Sequence, residues 1–143
     1  MRRFLTYMLA FAVAGTAVMA EKAKTADDID KAMKKVGTTQ QSVNKAIQAM
    51  AYADAKKQVE IIATTLTDAE NFWKLNKKED AVKFSQETLA KLDVLDKALA
   101  EKAPDQAKVT GAYRDAATSC NSCHKVYRAT DANNQFIIKP GTI

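Results

Sequence analysis

Glycine, proline, histidine and cysteine are scarce in this 143-residue chain, which holds four glycines, two prolines, one histidine and two cysteines. With so few helix breakers and no stretch that alternates apolar and polar residues, strands joined by tight turns are excluded as the main architecture, and helix becomes the default. A single histidine rules out a site with two imidazole ligands from one chain. Two cysteines and one histidine also fall short of the four ligands that a structural zinc site takes. Aromatic residues make up 7% of the chain and are not interleaved with arginines, so a stacking platform for nucleic acid is missing. No grouping of general base, nucleophile and oxyanion donors stands out either, and an enzyme in the usual sense is not expected.

A strong excess of one charge is missing too. The formal net charge is +5, and lysines alternate with acids in stretches such as "KKED" and "KLDVLDKALAEK". Such stretches are solvated helix faces and not a block that grips a polyanion, so nucleic acid is not an expected partner. A long apolar run occurs once. "FLTYMLAFAVAG" follows Met1, Arg2 and Arg3 and leads to "TAVMA", with small Val18 and Ala20 flanking a cleavage position after Ala20. This is the layout of a secretory signal peptide over residues 1–20. The run is short of the ~20 residues a spanning helix needs, which leaves an uncleaved anchor as the lesser alternative. The expected working protein is therefore periplasmic, a single domain over residues 21–143 with a net charge of +3.

Four apolar seams with helical spacing follow. Ile29, Met33, Val36, Gln40, Val43, Ile47 and Met50 step by three and four, with Thr25 and Asp28 placed to open the helix as a capping box. A second seam runs through Ala55, Val59, Ile62, Leu66, Ala69 and Trp73 to the lysine-rich turn "KLNKK". A third, with Val82, Leu89, Leu92, Leu95 and Leu99, is predicted from about residue 79 to 102. Pro104 is expected in the first turn of the last helix, where its missing N–H costs little. The fourth seam is Val109, Tyr113, Ala116, Cys120, Cys123 and Tyr127, after which "DANNQFIIKPGTI" shows no period and is expected to be loose or to pack over the bundle. Four helices of roughly twenty residues with short links predict an all-α, antiparallel up-and-down four-helix bundle.

Chemistry concentrates in "CNSCH", Cys120 to His124. Four readings compete for the two thiols. Zinc lacks a second ligand pair, a thioredoxin-like redox pair lacks its strand-and-helix setting, and an i,i+3 disulfide is awkward within a helix. The fourth reading, covalent attachment of one haem c, uses all three residues. Thiols three apart lie on one side of a helix and reach two vinyl groups of one porphyrin, while the adjoining His124 faces the iron. Export is what such attachment requires in bacteria.

The layout resembles the cytochrome c prime family together with its low-spin, methionine-ligated relatives. The resemblance spans the mature chain in layout but is specific at two stretches: "CNSCHKVYR", whose Tyr127 and Arg128 match the family's ending, and "MKKVG", Met33 to Gly37, which matches the segment facing the iron's other side. It implies a haem-binding bundle with Arg128 near the haem, as a propionate partner or a cation that raises the potential; a solvated helix end is the plainer reading of that arginine. One position departs from the family. Ile29 stands where an arginine often reaches a propionate, so Lys31 or another lysine is the expected substitute.

Of the methionines, Met33 and Met50 remain after the signal. His124 and Met33 each sit on the order of 8 Å from the same end of the bundle, whereas Met50 lies roughly 25 Å beyond Met33 at 1.5 Å per residue. Met33 is thus the expected second iron ligand, the alternative being an apolar filler over an open sixth position. Gln40 is expected near the haem edge or in the core, and Trp73 and Phe84 in the core. With Met33 bound, the expected function is a one-electron carrier serving periplasmic redox partner proteins. With Met33 unbound, the same site suits nitric oxide or carbon monoxide, for buffering or sensing. A haem-free helical interaction domain is a third possibility, and a homodimer is compatible with all of these.

Overall fold

The computed structural model describes residue 23 and residues 25–143, so the predicted signal segment and its cleavage position lie outside the described residues. Four helices make up most of it: α1 (Ala26–Gln48), α2 (Tyr52–Leu75), α3 (Glu79–Leu99) and α4 (Gln106–Tyr127). The links between them are short, which forces neighbours antiparallel. Helix α1 packs on α2, α2 on α3 and α3 on α4, in an up-and-down bundle. No helix among the described residues is long and apolar enough to cross a membrane.

Local chemistry explains most of the helix boundaries. Thr25 caps α1: its hydroxyl oxygen accepts the Asp28 N–H at 3.2 Å, and the Asp28 carboxylate accepts the Thr25 N–H at 2.9 Å. This is the capping box expected from the sequence, and it places Asp27 and Asp28 at the positive end of the helix dipole. Asp105 caps α4 by accepting the Lys108 N–H at 2.7 Å. Pro104 therefore precedes the cap, a correction to the expectation that it opens the helix. The third helix stops at Leu99, a few residues short of the predicted end.

The first helix also ends early. Met50 adopts a left-handed backbone with φ of 56° and is 65% exposed, so it turns the corner toward α2 and leaves the seam it was assigned to. The second seam is buried along its whole length, from Ala55 to Trp73, and the fourth is buried or half-buried from Val109 to Tyr127.

The tail packs over the bundle, the second of the two expectations, and it does so as a pair of short strands. Residues 128–138 form an antiparallel hairpin, β1 (Arg128–Thr130) and β2 (Phe136–Ile138), with Arg128 opposite Ile138 and Thr130 opposite Phe136. Asp131 builds its turn, accepting the N–H groups of Asn133 and Gln135 at 2.8 Å each, while Asn134 takes a left-handed backbone. The fold is thus all-α in its body with one short hairpin attached.

Helices α1 and α4 are joined by side-chain hydrogen bonds toward one end. There the Gln106 amide donates to the Ile47 carbonyl and the Tyr113 hydroxyl to the Gln40 carbonyl, both at 3.2 Å. Continuing two turns along each antiparallel helix brings Met33 level with Cys120, and at that level the helices stand apart. The core divides accordingly. A larger cluster around Val43, Val59, Leu95 and Val109 fills the closed end, and a smaller one around Ile29, Phe72, Trp73 and Tyr127 fills the other.

Tyr127 ties α4 to α3 in the smaller cluster. Its ring packs on Trp73 at 4.7 Å, and its hydroxyl donates to the Asp80 carboxylate at 2.5 Å. That bond holds the Asp80 carboxyl below its usual range, while burial followed by Asp80 pushes the Tyr127 phenol up to about 12. A lowered carboxylate adds stability above the unfolded carboxyl pKa that is lost as pH falls through the folded value; a raised phenol adds stability below the unfolded phenol pKa that is lost as pH climbs through about 12. Tyr127→Phe keeps the ring and should cost about 1 kcal/mol at neutral pH. Thermal denaturation across pH should show the gap between variant and parent flat from about pH 5 to 9 and shrinking beyond both limits; a constant gap would contradict the pairing.

Candidate functional site

Where α1 and α4 part, a cavity of about 470 Å3 opens between them. Its α4 wall carries Cys120, Cys123 and His124, and its α1 wall carries Ile29, Met33, Val36 and Gln40. Leu66, Ala69 and Trp73 of α2 and Phe84 and Thr88 of α3 form the floor. Ile137 and Ile138 of the hairpin close the mouth. Its size falls within the range of small-molecule and cofactor pockets, and apolar side chains supply most of the lining.

The structure brings the sequence-predicted residues together. Cys120, Cys123 and His124 fall on neighbouring positions of the last turns of α4, all half-buried, with Met33 on the facing helix. Met33 packs against both core clusters, at the junction between them. Gln40, Trp73 and Phe84 all line the cavity, Trp73 as a buried residue. Met50 does not line it.

Two placements differ from expectation. Arg128 lines the cavity, but from strand β1, because the helix ends at Tyr127. Its guanidinium lies 4.3 Å from the centre of the Phe136 ring, a cation–π contact across the hairpin. Lys31 is exposed and away from the lining, whereas Lys34, one turn on, contributes to it. Helical spacing already places Lys34 beside Met33, but the sequence offered no reason to choose it among three lysines. Asp30 also lines the cavity, and so do Ile137 and Ile138 of the tail. No periodic signal marks the two isoleucines, because a three-residue strand is too short to show one.

The electrostatics follow from burial. Cys120 and Cys123 are free thiols. Burial pushes both upward, and Cys123, which also faces the Asp80 charge, reaches about 11. Burial, joined by the Arg128 guanidinium, pushes His124 below its usual value. At neutral pH the cavity therefore presents protonated thiols and a neutral imidazole, whose ring nitrogen can act as a lone-pair donor. Among the described residues no three or more His, Cys, Asp or Glu side chains cluster to hold a bare metal ion, so a zinc site built on these cysteines has no further ligands at hand.

Gly37 lines the same cavity, one turn beyond Met33. A β-carbon there would meet no protein atom within 4 Å. Glycine inside a helix costs roughly 0.5–1 kcal/mol relative to alanine, and protein packing at this position does not require it.

Comparison of the chain with protein-family models, with curated proteins and with solved structures finds no match.

Thiol reactivity checks this description of the cavity. In the folded, haem-free chain at pH 8, Cys123 should react with iodoacetamide far more slowly than in urea, because the thiolate is the nucleophile and burial holds the thiol near 11. Equal rates in the two states would mean that the cysteine is not buried in solution.

Proposed function

We propose that this chain is an exported c-type cytochrome of the cytochrome c prime kind, working in the periplasm as a one-electron carrier between redox partner proteins. The observation that carries this reading is the meeting of the two thiols, the chain's one histidine and Met33 in a single apolar cavity between α1 and α4.

The residues present fit one covalently held haem. Cys120 and Cys123 would hold it through two thioether bonds, with His124 bound to the iron on one face and Met33 on the other. Gly37 on the lining would leave the group room that a larger side chain would occupy. Lys34 and Arg128 are the lysine and arginine at the lining and would face its carboxylates. When bound, haem supplies a single ferric–ferrous couple.

The chain's own groups favour transfer of an electron over turnover of a substrate. His124 is held neutral, so it binds a cation without first losing a proton. The Met33 thioether is a soft, weak donor that favours the ferrous state and raises the potential relative to two imidazoles. Apolar side chains supply most of the lining, and a largely apolar wall limits reorganisation as the charge changes.

Absorption spectra of the exported protein in both oxidation states test the reading. The expected result is low-spin iron, with a ferric charge-transfer band at the far red from iron–thioether bonding that is absent in Met33→Ala. A high-spin ferrous spectrum that shifts under carbon monoxide would overturn the carrier in favour of gas binding. Cys120→Ala with Cys123→Ala should abolish haem staining on a denaturing gel; an unstained parent band, made in a host that matures haem c, would end the haem reading itself.

A further inference from the structure

The end at which α1 and α4 stand apart is bridged by the hairpin. On the α4 side it is continuous with the helix, and the Lys139 N–H donates to the Tyr127 carbonyl at 2.8 Å. On the α1 side the Ile138 N–H donates to the Asp30 carboxylate at 2.8 Å. Ile138 also joins the small core cluster that contains Ile29, Met33 and Trp73. Asp30 thus fastens the end of the chain to the first helix, 108 residues away in sequence.

Asp30 has no evident task within its own helix. Thr25 and Asp28 already cap α1, and aspartate in a helix interior is less favourable than alanine. What it does set is the position of its neighbours. A helix is stiff over one turn, so fixing residue 30 fixes the height and the facing of residue 33, three positions on.

We propose that Asp30 is a positioning residue for Met33: by accepting the Ile138 N–H it clasps the hairpin to α1, holds the thioether against the cavity and keeps Ile137 and Ile138 across the mouth. The role rests on the reading that Met33 binds iron. With the clasp released, the Met33 end of α1 loses its tie to the hairpin while α2 and the closed end still hold the rest of the helix, and the Met33 face of the cavity opens to small exogenous ligands.

Two variants of the exported, haem-loaded protein test this. Asp30→Ala removes the acceptor while improving helix propensity, so weaker helix formation cannot explain a loss. Asp30→Asn removes the charge but keeps an acceptor oxygen. Amide hydrogen exchange at Ile138, the far-red ferric band and the rate of carbon monoxide binding to the ferrous protein are read in each. Asp30→Ala should speed Ile138 exchange about tenfold, the order expected for one charge-assisted hydrogen bond, weaken the band and accelerate carbon monoxide binding. Asp30→Asn should stay close to the parent in all three. If exchange speeds up in Asp30→Ala while band and carbon monoxide rate are unchanged, the positioning role is overturned and the carrier stands. If the parent itself lacks the band, the carrier falls, and this role falls with it.

Discussion

Antiparallel helices close into a four-membered bundle only when the first also packs against the last, and here that seam is sealed toward one end alone. Gln40 and Ile47 of α1 meet Tyr113 and Gln106 of α4 through side-chain hydrogen bonds to backbone carbonyls. Two turns on, Met33 of α1 and Cys120 of α4 both line the cavity that lies between the two helices. The other three helix pairs pack far more extensively than α1 with α4, so the opening is one-sided. Everything chemically distinctive about the chain lies along it.

That arrangement separates two jobs that a small core would otherwise combine. The closed end, around Val43, Val59 and Leu95, supplies the burial that keeps helices in register. The open end trades protein packing for room, and its walls are held by contacts outside the gap: Tyr127 on Trp73 and Asp80, Gln86 on Glu70, and the hairpin on Asp30. Glu70 is buried and its carboxyl is held below the usual range by Lys74 first and Gln86 second, which makes it a charged anchor between α2 and α3.

The four helices were legible because their apolar residues repeat with one period over twenty positions, enough to override any single exception. Cys120, Cys123, His124 and Met33 were legible because helical spacing alone puts three of them on one turn and a bundle puts the fourth opposite. What escaped was decided by contacts without a period. Met50 fits the seam by count, but the chain turns at Met50 itself, with no glycine or proline to announce it. Arg128 continues the helical count too, yet strand pairing with Ile138 captures its backbone and Phe136 captures its guanidinium. The hairpin is specified by one turn-building aspartate and one bond to Asp30, both invisible to any windowed average.

Three corners of the chain, at Met50, Lys77 and Asn134, adopt left-handed backbones without glycine. Such a conformation is disfavoured by roughly 1–2 kcal/mol for an ordinary L-residue, less for asparagine. Met50 and Lys77 sit at opposite ends of α2 and are exposed. The molecule therefore keeps unused thermal headroom at these bends, so an engineer seeking a hardier version could work on those two positions and leave every wall of the chamber untouched.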